Sequence, residues 1–363
     1  MTTLWSNLSG VKRLPIVIFV ISIAFLFILS IYSIFLSPPS SKGEWREFVV
    51  TEGMTFSQIA EKLKQEGFIR SSTAFNILGR VTEITRSVRA GYYSLNVNMN
   101  LLNVFDIIKK GKIIVFEIIV PEGSTLFDIG RILERKGLAK YDDFISLTHD
   151  SKFVDSFGIE APSLEGYLFP DKYLFPKGIS LKEITGRMVN RFFEVFDEDL
   201  AEHASEIGFT VNEVITLASI IEMEASVDGE RALISAVYHN RLKKRMKLQA
   251  DPTAVYGKDN NKKITKKDLN NSSPYNTYRI KGLPPGPISN PGLKSIKAAL
   301  NPEDVKYLFF VSKNDGTHYF SMTEREHNLA VEKFRALRSL KNGESPNSKV
   351  SKNPSLKDPS KTL

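Results

Sequence analysis

The stretch TVNEVITLASIIEMEAS, from Thr210 to Ser226, is almost wholly apolar yet ends in two glutamates, and this limits both fold and chemistry. Thr210 followed three residues on by Glu213 is a capping-box pattern, which predicts a helix starting near Val211. Val211, Val214, Ile215, Leu217, Ala218, Ile220, Ile221 and Met223 cover nearly its whole circumference, so the helix is expected inside its domain. A carboxylate carried there is either paired with a cation or has its pKa raised from about 4.3 towards neutrality, as a general acid needs. Residues two apart on a helix point about 200° away from each other, so Glu222 and Glu224 cannot face one cleft. Glu222 shares a partly polar stripe with Ser219 and Ser226, whereas Glu224 continues the drier stripe of Leu217, Ile220 and Ile221. Glu224 is therefore the candidate acid, and Glu222 is expected to support the site or the fold. A structural ion pair with Arg231 or Arg241 is the competing account of Glu224's burial.

Near the N-terminus, Ile16 to Leu36 gives 21 uncharged, mostly apolar residues, about 31 Å as a helix, enough to cross a bilayer. LSPPSSK follows, rather than a small-residue cleavage site, so an uncleaved anchor over 14–36 is expected. Residues 1–13 are then a cytoplasmic tail, 37–47 a linker, and everything beyond lies outside. The net charge of +8 is spread along the chain and selects no nucleic-acid partner. With no cysteine there can be no disulfide framework or thiolate metal site. His149, His203, His239, His318 and His327 lack paired ligand spacing, so neither a metal nor another cofactor is expected.

An internal repeat at 70 residues' separation matches VTEGMTFSQIAEKLKQEGFI (Val50 to Ile69) with VPEGSTLFDIGRILERKGLA (Val120 to Ala139). Each copy reads as a strand, a glycine turn, a Thr-capped amphipathic helix and a glycine stop, and AGYYSLNVNMNLLNVFDIIKKGKII between them reads similarly. The fold class is α+β, with a small domain over 48–116, a larger mixed domain over 117–340 and a disordered tail over 341–363. Helices are expected over Leu181–Phe196, Asp228–Lys244 and Thr323–Leu340, with a hairpin pairing Tyr307–Val311 and His318–Met322.

Four segments carry polar groups suited to a ligand. SLEGYLFPDKYLFP surrounds Glu165 with aromatic rings, and LQADPTAVYG places Gln249 and Asp251 on an Asp-Pro turn. SPYNTYRIKGLPPGPISNPG holds Pro274, Pro284, Pro285, Pro287 and Pro291, so a rigid shaped loop should present Asn276 and Tyr278. The glutamate helix supplies the fourth.

EGYLFPDKY, LASIIEMEA, LQADPTAVYG and SPYNTYRIKGLPPGPISNPG, in that order, resemble the bacterial endolytic murein transglycosylase family. The resemblance covers the anchor, a LysM-like first domain and the region from about Val120 to Leu340. It implies an enzyme of the inner membrane that cuts nascent peptidoglycan strands internally, leaving 1,6-anhydro ends, with glycan synthases as partners. It also implies that Glu224 protonates the glycosidic oxygen and afterwards takes the C6 hydroxyl proton of the muramyl residue. Gln249, Asp251, Asn276, Tyr278 and Glu165 are the expected substrate contacts. One departure is Ala225, where the family often has a hydroxyl residue. Two other readings stand beside it: a lysozyme-like hydrolase using Glu165 or Asp251 as second carboxylate, and a non-catalytic glycan-binding scaffold.

Overall fold

The computed structural model describes residues 10–84, 88–258 and 264–341. The expected cytoplasmic tail and C-terminal tail fall mostly outside these. Helix α1 (Gly10–Ile31) and a following π-helical turn, Tyr32–Leu36, carry the apolar segment, long and apolar enough over Pro15–Leu36 to cross a membrane.

The mixed α+β chain divides into two compact units, one of residues 1–117 with 174–179, the other of the remainder. In the first, β1 (Trp45–Val50) pairs antiparallel with β2 (Gly91–Asn96), and α2 (Phe56–Gln65) and α3 (Ser72–Val81) lie between them in sequence. Helix α4 (Leu101–Lys109) follows. Phe48, Phe56, Phe68, Phe75 and Phe105 form its centre, and Ile34 and Phe35 pack against it. The inclusion of Leu174–Ile179 was not foreseen. The Lys177 N–H bonds the Ile114 carbonyl at 2.9 Å and its ammonium pairs with Glu47, which ties the segment in.

The repeat is a structural one. Thr55 caps α2 in a capping box with Gln58; Thr125 caps α5 (Leu126–Arg135) in the same way with Asp128. Gly53 and Gly123 turn the chain before each helix, and Gly67 and Gly137 end it, at φ of 81°, 77°, 78° and 67° respectively.

Strands β3 (Val115–Ile119) and β4 (Lys172–Pro176) pair as a second ribbon. The second unit continues through α6 (Tyr141–Thr148), α7 (Ser151–Asp155), α8 (Leu181–Val195) and α9 (Glu198–Glu206). At its centre is α10 (Val211–Glu224), with every residue from Val214 to Ile221 buried. Helix α11 begins at Arg231 and ends at Lys243, behind a single 3-10 turn at Asp228–Glu230, so it starts later than the expected Asp228. The Asp-Pro turn is instead the first turn of α12 (Asp251–Val255), because proline fits a helix's first positions. Helices α13 (Lys266–Leu269) and α14 (Leu293–Leu300), the antiparallel hairpin β5 (Phe309–Ser312) and β6 (His318–Ser321), and α15 (Glu324–Lys341) complete it.

Candidate active site

The polar stripe of α10 serves the fold. Ser219 Oγ donates to the Thr216 carbonyl at 2.7 Å and accepts the Ile288 N–H at 3.0 Å, fastening the proline-rich loop to the helix middle. Glu222, one turn on, accepts Arg231 Nη1 at 3.1 Å and the Gly292 N–H at 3.0 Å. Arg231 Nη1 also reaches Ser295 Oγ at 2.6 Å. Glu222 is thus a buried ion-paired carboxylate locking α10, α11 and the start of α14 together.

Glu224 has different neighbours. Its partner on α11 is the neutral Tyr238 hydroxyl, 3.3 Å away, and the Asp251 backbone at the start of α12 supplies a further hydrogen bond. Burial first, then the negative charge of Asp251, push its carboxyl up to about 7. Those hydrogen bonds and Arg241 oppose the rise less strongly. At neutral pH about half of such carboxyls hold a proton, as a general acid requires.

A cleft of about 420 Å³ opens beside it, lined by Glu224, Gln249, Asp251 and Tyr278 among others. Gln249 takes a left-handed backbone, φ 50°, and its own N–H, 3.3 Å from the Thr277 carbonyl, and the chain after it are laced to the proline-rich segment. Ala250 N–H donates to Thr277 Oγ1 at 2.9 Å, and the Thr253 and Thr277 hydroxyls are 2.8 Å apart. Tyr278 OH then reaches Asp251 Oδ1 at 2.6 Å. Two segments distant in sequence thereby present one polar wall.

Two expected contacts do not reach this cleft. Asn276 is fully buried: its amide donates to the Leu269 and Asn271 carbonyls at 3.2 and 2.9 Å, and its Oδ1 accepts the Tyr278 N–H at 3.0 Å. It sets the loop that carries Tyr278. Glu165 is also buried, accepting from Leu126 N–H at 3.1 Å, Asn290 Nδ2 at 3.0 Å and Tyr256 OH at 3.0 Å. Burial pushes its carboxyl up to about 8. It joins the start of α5 to α12 and the proline-rich loop, and so cannot supply a second carboxylate to Glu224. The aromatic stretch around it is packing: the next residue, Gly166, sits at φ 90°, where a Cβ would come within 2.5 Å of Pro287 and 2.8 Å of Ile215.

Tyr238, Arg241, His318 and His327 also face Glu224 or its cleft; Tyr238 was missed, the histidines were taken for surface or packing residues, and Arg241, expected at most as an ion-pair partner, forms no such pair among the described residues. Arg241 and Tyr238 lie three apart on α11, a spacing that puts them on one face, but nothing local says what that face meets.

A helical core thus delivers to a polar cleft a carboxyl that, among the described residues, has no ion-pair partner, a setting that suits acid chemistry on a hydrophilic ligand. Residues 48–333 match the YceG-like family, and the chain belongs to it. An endolytic murein transglycosylase of Bacillus subtilis is 34% identical over 305 residues, 78% of this chain and 83% of that protein. One from Streptococcus pneumoniae is 26% identical over 318 residues, 78% of this chain but 57% of the longer pneumococcal protein. A crystal structure of a YceG-like protein from Listeria monocytogenes, 35% identical, matches with a TM-score of 0.55, covering 80% of this chain and all of that one.

Proposed function

We propose that this protein is an endolytic lytic transglycosylase that cuts peptidoglycan strands between N-acetylmuramic acid and N-acetylglucosamine. The observation that carries the reading is Glu224: a carboxyl with no ion-pair partner among the described residues, poised near neutrality on a polar cleft. Its proton goes to the glycosidic oxygen as the C1–O bond breaks. The carboxylate left behind takes the proton of the muramyl C6 hydroxyl, whose oxygen closes on C1 to give the 1,6-anhydro end. No water enters the products. Gln249, Asp251 and Tyr278 hold the sugars, while Asn276 and Glu165 position the segments that carry the cleft.

The apolar Pro15–Leu36 helix suits a single-pass anchor in the cytoplasmic membrane with the chain that follows it outside, where growing strands are found. The first unit, two helices between paired strands, serves as a LysM-like holder of glycan, and internal cutting beside glycan synthases sets strand length.

Asp251 shares the cleft with Glu224, which leaves a hydrolytic route chemically open. The end group decides. Mass spectrometry of products from purified peptidoglycan should show anhydromuramyl ends with the wild type and none with Glu224→Gln. Reducing ends would assign the protein to the hydrolases, and activity retained in the variant would remove Glu224 from the chemistry.

A further inference from the structure

The cleft contains a buried guanidinium that this chemistry leaves unused. Arg241 is 7% exposed. Its Nε donates to the Leu308 carbonyl at 2.6 Å, and its Nη1 to the Leu248 and Lys247 carbonyls at 2.7 and 3.3 Å, with Gln249 Oε1 at 3.4 Å. Among the described residues Nη2 has no hydrogen-bond partner and no carboxylate forms an ion pair with the side chain. Carbonyls and the Phe309 ring, 5.2 Å from the guanidinium carbon, offset part of the cost of burying this cation, but no carboxylate does, and arginine does not escape the cost by losing its proton. The side chain clamps the loop before α12 to the strand at Leu308, and its free nitrogen remains for something else.

His327 lines the same cleft, its ring stacked on Phe309 at 5.2 Å and its Nδ1 sealed from water without a partner. The nearby acids do not answer the guanidinium: Asp251 is engaged by Tyr278, and Glu224 must keep its proton to act.

The two sugars of the strand alternate and differ only at the lactyl ether on C3 of the muramyl residue. An anhydro end can form at muramyl C1 alone if that sugar, and not its neighbour, is seated beside Glu224. We propose that Arg241 Nη2, with His327 beside it in the cleft wall, binds the lactyl carboxyl group and so selects which linkage is cut. The assignment rests on the transglycosylase reading. The recognised group is a carboxyl oxygen acceptor, charged as a free carboxylate in stripped strands and neutral as an amide where a stem peptide is attached. A guanidinium edge suits either.

The test is calorimetric binding of the full-length chain in detergent to a glucosamine–muramic acid disaccharide, the same disaccharide bearing a stem peptide, and chitobiose. A charged hydrogen bond at this site corresponds to a preference of about tenfold or more for a lactyl-bearing disaccharide. Arg241→Lys, which keeps the charge but not the fork, should abolish the preference; on peptidoglycan it should raise KM more than it lowers kcat. His327→Phe keeps the stacking on Phe309 and should narrow the preference even if the arginine variant does not fold. A larger loss with the free acid identifies the carboxylate, and a larger loss with the peptide-bearing disaccharide identifies the amide. Equal binding of all three ligands to the wild type, or a preference unchanged in both folded variants, overturns the proposal. Failure to form anhydro ends while the binding preference persists would instead sink the transglycosylase reading.

Discussion

Glu224→Gln should make the protein more stable, by an amount that depends on pH. The native carboxyl titrates at about 7 against 4.5 in an unconstrained chain. At about 1.4 kcal/mol per pH unit, that difference is worth about 3 kcal/mol. Because the folded pKa is the higher one, the protonated carboxyl's contribution is fully present below about pH 4.5. It is lost as pH rises through 7, where the native state must hold a carboxylate in a setting that disfavours it. Glutamine keeps the shape and cannot titrate. The difference in unfolding free energy, variant minus wild type, should therefore grow by about 3 kcal/mol between pH 4.5 and pH 8. Urea unfolding of the full-length chain in detergent, followed by circular dichroism at half-unit pH steps, measures it. The buried Glu165 titrates in both proteins and cancels in the difference. Parallel curves over the whole range would show that the Glu224 carboxyl has an ordinary pKa, and the argument for a poised acid would fail.

Three further outcomes follow from the same geometry. The kcat/KM for glycan cleavage should fall about tenfold per pH unit above 7, since the free enzyme loses the proton it must donate; a pH-rate profile flat to pH 9 would contradict this. Glu222→Gln should cost about 1–3 kcal/mol in denaturant unfolding, since the buried Arg231 loses one charged partner but keeps Asp228 at 3.3 Å, with kcat per folded molecule little changed. Gly166→Ala should destabilise by more than about 1 kcal/mol, because a Cβ at φ 90° also meets Pro287 and Ile215; an unchanged Tm would disprove the close packing.

What could be read without coordinates is what neighbours along the chain decide. Thr55, Thr125 and Thr210 each bond a backbone N–H three residues on, so caps, helix starts and the repeat were visible as short patterns. The apolar circumference of α10 likewise announced its burial. The site depended on longer reach. Asn276 and Glu165 have the residue types of ligand contacts, yet their partners are backbone groups and hydroxyls brought in by folding, including Leu126, 39 residues from Glu165. A polar residue among prolines or aromatics reads the same whether it faces a ligand or fastens a loop.

The two glutamates of α10 show where local reasoning stops. Helix geometry separated their directions, and the apolar stripe favoured Glu224, but dryness does not distinguish them: Glu222 is itself a buried side chain, 7% exposed. Compensation distinguishes them. Arg231, nine residues away, and the Gly292 N–H, 70 residues away, satisfy Glu222, which is thereby committed to holding three elements in place. Glu224 meets a neutral hydroxyl and another acid, so its charge is left without an ion pair and its proton becomes easy to keep at neutral pH. The same chemical group, two residues along one helix, becomes a fastener or a candidate acid according to whether the fold delivers it a cation.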